Sequence, residues 1–365
     1  MTAKLEPDAR LERLIAAALP GARIVGVTLL GIDSAPEGGT TKGAGYGAPL
    51  RIDLEREGQS TSVVLHTATK NQFGHDRRAD RAAEALLAFD TFDAVPRHVR
   101  ALDVGAFSGE SGFVSLRETG EFYLLSEWAE GTLYAESLRR VVRNAALEPD
   151  DLPKVDQLAL YLAELHAPRE RHPVSQARAQ RDLFGSGEGI FGIVDSYPEP
   201  CPGLSAGRLR NVERLCCDWR WTLKARGRPL RRTHGDFHPF NLLFDENGRL
   251  RLLDTSRGSL GDAADDVTCL ALNFPFFALE RPEAWHGVLS RLWFRFWSRY
   301  LARSRDTELL DVAAPYLAWR GLVLANPVWY PSLSDSARSR LFEFIESTLE
   351  RPRFEPESVE QLFPR

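Results

Sequence analysis

Near residue 130 the hydrophobic rhythm of this chain changes, and two kinds of structure follow from the change. After a helix expected near residues 8–19, the stretch to about 130 is strand-like. Ile24–Leu30, Leu50–Glu55, Ser62–Thr67, His98–Ala106, Gly112–Leu116 and Phe122–Glu127 are short runs rich in Val, Ile, Leu and Phe, bounded by Gly, Pro and acidic turns. One helix interrupts them, Asp76–Phe89, with Ala79, Ala83, Leu86 and Leu87 at helical spacing. Beyond residue 131, i, i+3, i+4 apolar stripes mark helices at Leu152–His166, Gly203–Ala225, Trp285–Arg303 and Arg338–Glu350. A single strand–loop–strand insertion, Leu230–Asp254, lies inside the helical part. The expected class is α+β. A β-rich lobe of residues 1–130 holds the N-terminal helix, an antiparallel sheet and one more helix; a larger helical lobe, 131–365, follows.

Composition narrows the function. A length of 365 residues suggests two or three domains, and a formal charge of −5 gives no general pull toward nucleic acid or anionic membrane. No run approaches the ~18 apolar residues of a membrane span. The N-terminal MTAKLEPDARLERL reads as a polar amphipathic helix without a signal-peptide core, so a cytoplasmic protein is expected. Cys201, Cys216, Cys217 and Cys269 have neither C-x-x-C spacing nor a nearby His pair and read as reduced thiols rather than zinc ligands or disulfides. Only five of the 46 basic residues are Lys, a bias that fits a GC-rich bacterial genome.

The chemistry concentrates in Arg232-Thr-His-Gly-Asp-Phe-His-Pro-Phe-Asn-Leu-Leu-Phe244 and Arg249-Leu-Arg-Leu-Leu-Asp254. Two apolar strands flank the turn Asp245-Glu-Asn-Gly248, which makes a hairpin. Its entry loop carries Asp236 and Asn241, five residues apart, and its exit ends at Asp254. Asp, Asn and Asp at one end of a hairpin offer oxygen ligands alone, the preference of Mg²⁺, which keeps waters and shares substrate phosphates. Phosphoryl transfer needs a carboxylate to take or orient a hydroxyl proton and metal to spread charge on the transferring group. The assignment is Asp236 as catalytic base, with Asn241 and Asp254 on the metal.

His234-Gly-Asp-Phe-His-Pro-Phe-Asn241, Leu253-Asp254 and Gly261-Asp-Ala-Ala-Asp-Asp-Val267 resemble three signatures of aminoglycoside phosphotransferase-like kinases, the family that includes choline kinase-type enzymes. These are the catalytic loop H-G-D-x-H-x-x-N, the metal-binding Asp after the next strand, and G-D-P-x-x-D-L. The resemblance implies a bilobal protein-kinase-like fold, ATP between the lobes, and transfer of the γ-phosphate to a small-molecule hydroxyl. Two departures separate the chain from protein kinases. Gly235 rather than Arg precedes Asp236, so no cation waits there for a phosphorylated loop. Seven residues between Asp254 and Asp262 are too few for a peptide-binding activation segment.

Further nucleotide ligands follow from the same resemblance. Leu124-Leu-Ser-Glu-Trp-Ala-Glu-Gly131 looks like the interlobe hinge, where backbone groups at Glu127, Trp128 and Ala129 hydrogen-bond an adenine edge. Gly38–Gly47, with Gly43 and Gly45, occupies the place of a nucleotide-covering loop; a hairpin tip is the other reading. His66 stands where an ATP-positioning Lys belongs, a departure from the family pattern, with Lys70 just beyond and Asp80 or Glu84 as the acidic partner. Asp262 reads as an N-cap and His238 as a shaper of the loop. Leu289, Leu292, Trp293, Phe296, Trp297 and Tyr300 read as core, whereas Trp319, Trp329 and Tyr330 flank an Asn326-Pro327 break and are candidates for an acceptor pocket.

The leading expectation is an ATP- and Mg²⁺-dependent small-molecule O-phosphotransferase with an aminoglycoside-, amino-alcohol- or sugar-like acceptor and no nucleic-acid or membrane partner. A nucleotide-binding pseudokinase or regulatory module, motivated by His66, is the alternative, ahead of a protein kinase.

Overall fold

The structure is a computed structural model and describes residues 4–29, 49–70, 75–92, 99–109, 112–120, 126–254 and 259–364. The chain divides into two compact units, Met1–Leu125 and Ser126–Arg365.

The first unit comprises β1 (Lys4–Leu5), α1 (Ala9–Ala18), β2 (Arg23–Leu29), β3 (Leu50–Arg56), β4 (Gln59–Leu65), α2 (Arg78–Phe92), β5 (Gly105–Ser108) and β6 (Gly112–Ser115). Strands β1–β4 form an antiparallel sheet in sequence order, and β5 with β6 is a separate hairpin. Asp8 starts α1 by accepting a hydrogen bond from Leu11 N at 2.8 Å, which satisfies one orphan helix donor. Leu11 and Ile15 of that helix join Val27, Ile52 and Leu54 in a small apolar core. The alternation along β3 turns Ile52 and Leu54 inward and leaves Arg51 and Glu55 exposed.

Several boundaries differ from those expected. Lys4 and Leu5 pair with Thr28 and Val27 as an edge strand rather than extending a helix. β4 starts at Gln59 and ends at Leu65, the partner of Leu50, where β3 begins. His66 and Thr67 therefore follow the strand instead of lying on it. His98 of the expected His98–Ala106 strand lies outside the described residues; of the rest, Gly105 and Ala106 are in a strand and residues 99–104 are irregular. Residues 121–125 of the expected Phe122–Glu127 strand lie outside the described residues, and 126–127 are irregular.

The second unit runs β7 (Thr132–Leu133), α3 (Tyr134–Asn144), α4 (Asp151–Leu165), α5 (Pro173–Gly185), α6 (Ile190–Asp195), α7 (Ala206–Arg226), β8 (Arg231–Arg232), β9 (Leu242–Phe244), β10 (Leu250–Leu252), β11 (Leu260–Gly261), α8 (Ala263–Ala271), α9 (Asn273–Ala278) and α10 (Pro282–Ala284). A π-helical turn, Trp285–Leu289, leads into α11 (Ser290–Ser304), and α12 (Ala313–Ala325) and α13 (Asp335–Leu349) follow. β10, β9 and β7 make a three-stranded sheet, and β11 pairs with β8.

The stripe Leu289, Leu292, Trp293, Phe296, Trp297 and Tyr300 is buried in the core. On the other side of α11, Arg295 grips Asp156 of α4 with two bonds of 2.7 and 2.6 Å. α12 carries no such stripe. Twelve of its thirteen residues are buried, so its sequence is apolar all round and has no helical period to detect. Among the described residues no helix is long and apolar enough to cross a membrane.

Candidate functional site

The site is built on the loop of residues 233–241, between β8 and β9. β9 pairs with β10 as Leu242↔Leu252 and Phe244↔Leu250, and Asp245 Oδ1 closes the turn by accepting from Asn247 N and Arg249 N, both at 2.9 Å. The hairpin is the one that the turn residues predict.

The loop is held from within by α8. Asp262 is the N-cap of that helix, accepting from Ala264 N at 2.9 Å, the capping role expected for it. One turn later Asp266 is fully buried, and its carboxylate accepts His234 N at 2.7 Å and Gly235 N at 2.8 Å. His166 Nε2 lies 3.1 Å from the same carboxylate, and His166 Nδ1 lies 2.9 Å from the Tyr300 hydroxyl. Burial alone pushes the Asp266 carboxyl up; the bond and charge of His166 and the two backbone donors outweigh it and hold it below the usual range. Burial also holds the His234 imidazole below its ordinary value. Gly235 has φ +86°, a left-handed conformation that a side chain disfavours, and both its amide and its carbonyl are used, so Gly at this place is a backbone requirement.

This frame presents Asp236. Its Oδ1 accepts a hydrogen bond from Arg320 Nη1 at 2.9 Å, while Oδ2 lies 3.3 Å from His238 Nε2 and 3.4 Å from Asn241 Nδ2. Asn241 Nδ2 also donates to the Asp236 carbonyl at 3.1 Å. Leu253 N donates to the Asn241 carbonyl at 2.9 Å, which ties the loop to the end of β10 one residue before Asp254. Asp254 is exposed and its backbone is left-handed, φ +52°. His238 bonds Phe240 N through Nδ1 at 3.2 Å, so it shapes the loop as well as facing Asp236.

The donor chemistry suits a hard cation. Asn241 turns its amide nitrogen to Asp236, which leaves its amide oxygen as the acceptor, and Asp254 adds a carboxylate. Among the described residues no three His, Cys, Asp or Glu gather as a metal site on their own. A cation held at Asn241 and Asp254 would take further oxygens from water and phosphate, as Mg²⁺ does.

Arg320, the single charge in α12, escapes sequence inspection although it lies at the heart of the site. Its Nη2 donates to the Gly235 carbonyl at 3.0 Å and to Asp265 Oδ1 at 2.5 Å, and its guanidinium lies 4.0 Å from the centre of the Trp319 ring. Burial opposes its charge, yet Cys269, Asp265 and Asp236 more than compensate and push its pKa up. An isolated Arg in an otherwise apolar stretch is the one sequence signal that could have singled it out. Trp319 itself is buried with Nε1 donating to the Glu188 carbonyl at 2.7 Å, and Tyr330 packs edge-on to Phe276 at 4.8 Å.

The residues expected to hold nucleotide are placed as follows. His66 and Lys70 are exposed in the irregular stretch after β4. Glu84 of α2 lies with its carboxylate 3.1 Å from His75 Nε2. Gly43 and Gly45, with the whole of Gly38–Gly47, lie outside the described residues. Glu127, Trp128 and Ala129 form an irregular segment before β7, and the exposed Trp128 donates through Nε1 to Glu130 at 2.7 Å. At Gly131, φ +150°, a Cβ would stand 2.8 Å from the Phe244 carbonyl oxygen, so the segment meets the hairpin at a point where only Gly fits.

Similar solved structures include a glucosamine kinase (TM-score 0.40, 20% identity, covering 56% of this chain and 57% of that one). A choline kinase from Streptococcus pneumoniae (TM-score 0.34, 15% identity, 93% of this chain and 97% of that one) is another. A third is a thermostable mutant of an aminoglycoside phosphotransferase (TM-score 0.35, 14% identity, 93% and 97%). The chain spans 57% of the length of the glucosamine kinase it matches. No curated protein matches it. A model of the phosphotransferase enzyme family matches residues 56–302, more than half of the chain and the whole of the loop, hairpin and α8 motifs, and so the chain belongs to the phosphotransferase enzyme family.

Proposed function

We propose that the protein is an ATP- and Mg²⁺-dependent kinase that phosphorylates a hydroxyl of a small molecule. The observation that carries this reading is the Asp236 carboxylate. Arg320, His238 and Asn241 fix it beside the end of a hairpin that supplies Asn241 and Asp254. In this reading Asp236 Oδ2 takes the proton of the acceptor hydroxyl as its oxygen bonds to the γ-phosphorus. The bond from that phosphorus to the β,γ-bridging oxygen breaks, and ADP leaves. Asn241 and Asp254 would hold Mg²⁺, which would neutralise phosphate charge when bound. His66, Lys70, Gly43 and Gly45, with backbone groups of Glu127–Ala129, are the nucleotide ligands we assign, and Glu84 is the acidic partner that goes with them.

The test is transfer of labelled γ-phosphate from Mg-ATP to a panel of glucosamine, choline, ethanolamine and an aminoglycoside. The panel spans sugar-like, amino-alcohol and aminoglycoside hydroxyls. Label in any of these hydroxyls is the expected result. A His where the family pattern has a clamping Lys favours a second reading, a nucleotide-binding module. Calorimetric binding of Mg-ATP with neither transfer nor hydrolysis would establish that one instead.

A further inference from the structure

We propose that Arg320 is the positioning residue for the catalytic carboxylate, holding Asp236 through one guanidinium that it shares with Asp265. The inference rests on the reading of Asp236 as the base and adds residues that the loop motif does not contain. Arg320 sits on α12 and Asp265 on α8, 84 and 29 positions away from Asp236 in the chain. In the pattern G-D-P-x-x-D-L, Asp265 falls on an unspecified position and Asp266 on the specified Asp.

A buried charge is costly to keep in a folded chain. Every other residue of α12 is uncharged, and Arg320 is buried there with 6% exposure. Removing a charge from water costs several kcal/mol, and such a pair seldom adds stability over a well-packed apolar replacement. Packing alone gives no reason for Arg at this position. Its geometry does. Nη1 takes Asp236 Oδ1, and Nη2 takes both the Gly235 carbonyl and Asp265 Oδ1. The planar fork thus fixes the backbone before the base and one oxygen of the base itself.

With Oδ1 engaged, rotation of the carboxylate is arrested. Oδ2 is left on the side of His238 and Asn241, where the hydroxyl proton is to be received. Asp265 has a second effect. A cation bonded to one carboxylate alone draws off its basicity, whereas a guanidinium shared by two carboxylates leaves the group of three with a net negative charge. Trp319, whose ring lies 4.0 Å from the guanidinium carbon and whose Nε1 is bound to Glu188, limits sideways movement of the fork.

The experiment measures phosphate release from Mg-ATP, alone and with the acceptor panel, in the full-length protein. It compares wild type, Arg320→Ala, Arg320→Lys, Asp265→Asn and Asp236→Asn, with Mg-ATP affinity by calorimetry and folding by circular dichroism. Arg320→Ala is expected to lower the rate by ~10²-fold, the scale of an ångström-sized misplacement, with Mg-ATP affinity changed on the order of threefold or less. Added guanidinium, below denaturing concentration, restores part of the rate in Arg320→Ala, and methylammonium does not. Arg320→Lys stays low, since an ammonium cannot serve three acceptors in one plane.

Should Arg320→Ala fail to fold, Asp265→Asn carries the test, because it keeps the guanidinium and loosens its anchor; a loss of rate with unchanged Mg-ATP affinity is expected. The proposal is overturned if folded Arg320→Ala turns over like wild type or gains nothing from guanidinium. It is equally overturned if Asp265→Asn is indistinguishable from wild type while Asp236→Asn is inactive. Full turnover in Asp236→Asn would instead remove the base assignment beneath it.

Discussion

Asp266 and Asp236 are thirty residues apart in sequence and opposite in circumstance. Asp266 is wholly enclosed and spends its carboxylate on His234 N, Gly235 N and His166, so it acts on the chemistry only through the shape of the loop. Removing it strands two buried amides and a buried imidazole. Asp266→Ala is expected to destabilise the protein by ~3–5 kcal/mol, the range for breaking a buried charged pair, as read by urea denaturation. The same carboxylate sets an acid limit. Its folded pKa lies below the ordinary value, so its contribution is complete above about pH 4, where the unfolded group also ionises, and is lost as pH falls through the lower folded value. Melting temperatures measured from about pH 7 to 3 should fall most steeply below pH 4, and Asp266→Asn should flatten that descent. An equally steep descent in Asp266→Asn would show that other carboxylates set the limit. At this scale the sequence displays Asp236 and Asn241 because they are five residues apart on one loop. It hides Arg320 because its bond to Asp236 depends on how α12 packs against a loop 84 residues away in the chain, which no local spacing encodes.

Among the elements, the hairpin and α11 are legible and α12 is not. Asp245 and Gly248 specify the turn locally, and the period of Trp293, Phe296, Trp297 and Tyr300 faces one way, so both follow from short-range pattern. The end of β4 is different. It falls at the partner of Leu50, where β3 begins, and leaves His66 off the strand. α12 is buried on all sides and meets α13 closely. A Cβ on Gly321 would lie 2.8 Å from both Cγ1 and Cδ1 of Ile345. Gly321→Val is therefore expected to cost ~1–3 kcal/mol by overpacking. Adding Ile345→Ala to it should show a favourable coupling of about 0.5 kcal/mol or more in a double-mutant cycle followed by denaturation. Strict additivity of the two changes would mean that the helices separate freely at this contact.

For the molecule as a whole, the change of rhythm near residue 130 foretells a sheet-containing first stretch and a helical remainder. The structure divides into units at residues 125 and 126. The family match, residues 56–302, draws on both stretches. Motif residues cluster in the second unit around one carboxylate, and a phosphotransferase account of the chain stands or falls with that group. The direct measurement is turnover of Mg-ATP by Asp236→Asn against wild type, with Mg-ATP affinity measured on the same samples. Loss of at least ~10³-fold in phosphate transfer or release is expected, with nucleotide affinity nearly unchanged, because in the proposed role the side chain meets the acceptor and not the nucleotide. Equal turnover in Asp236→Asn and wild type would contradict it.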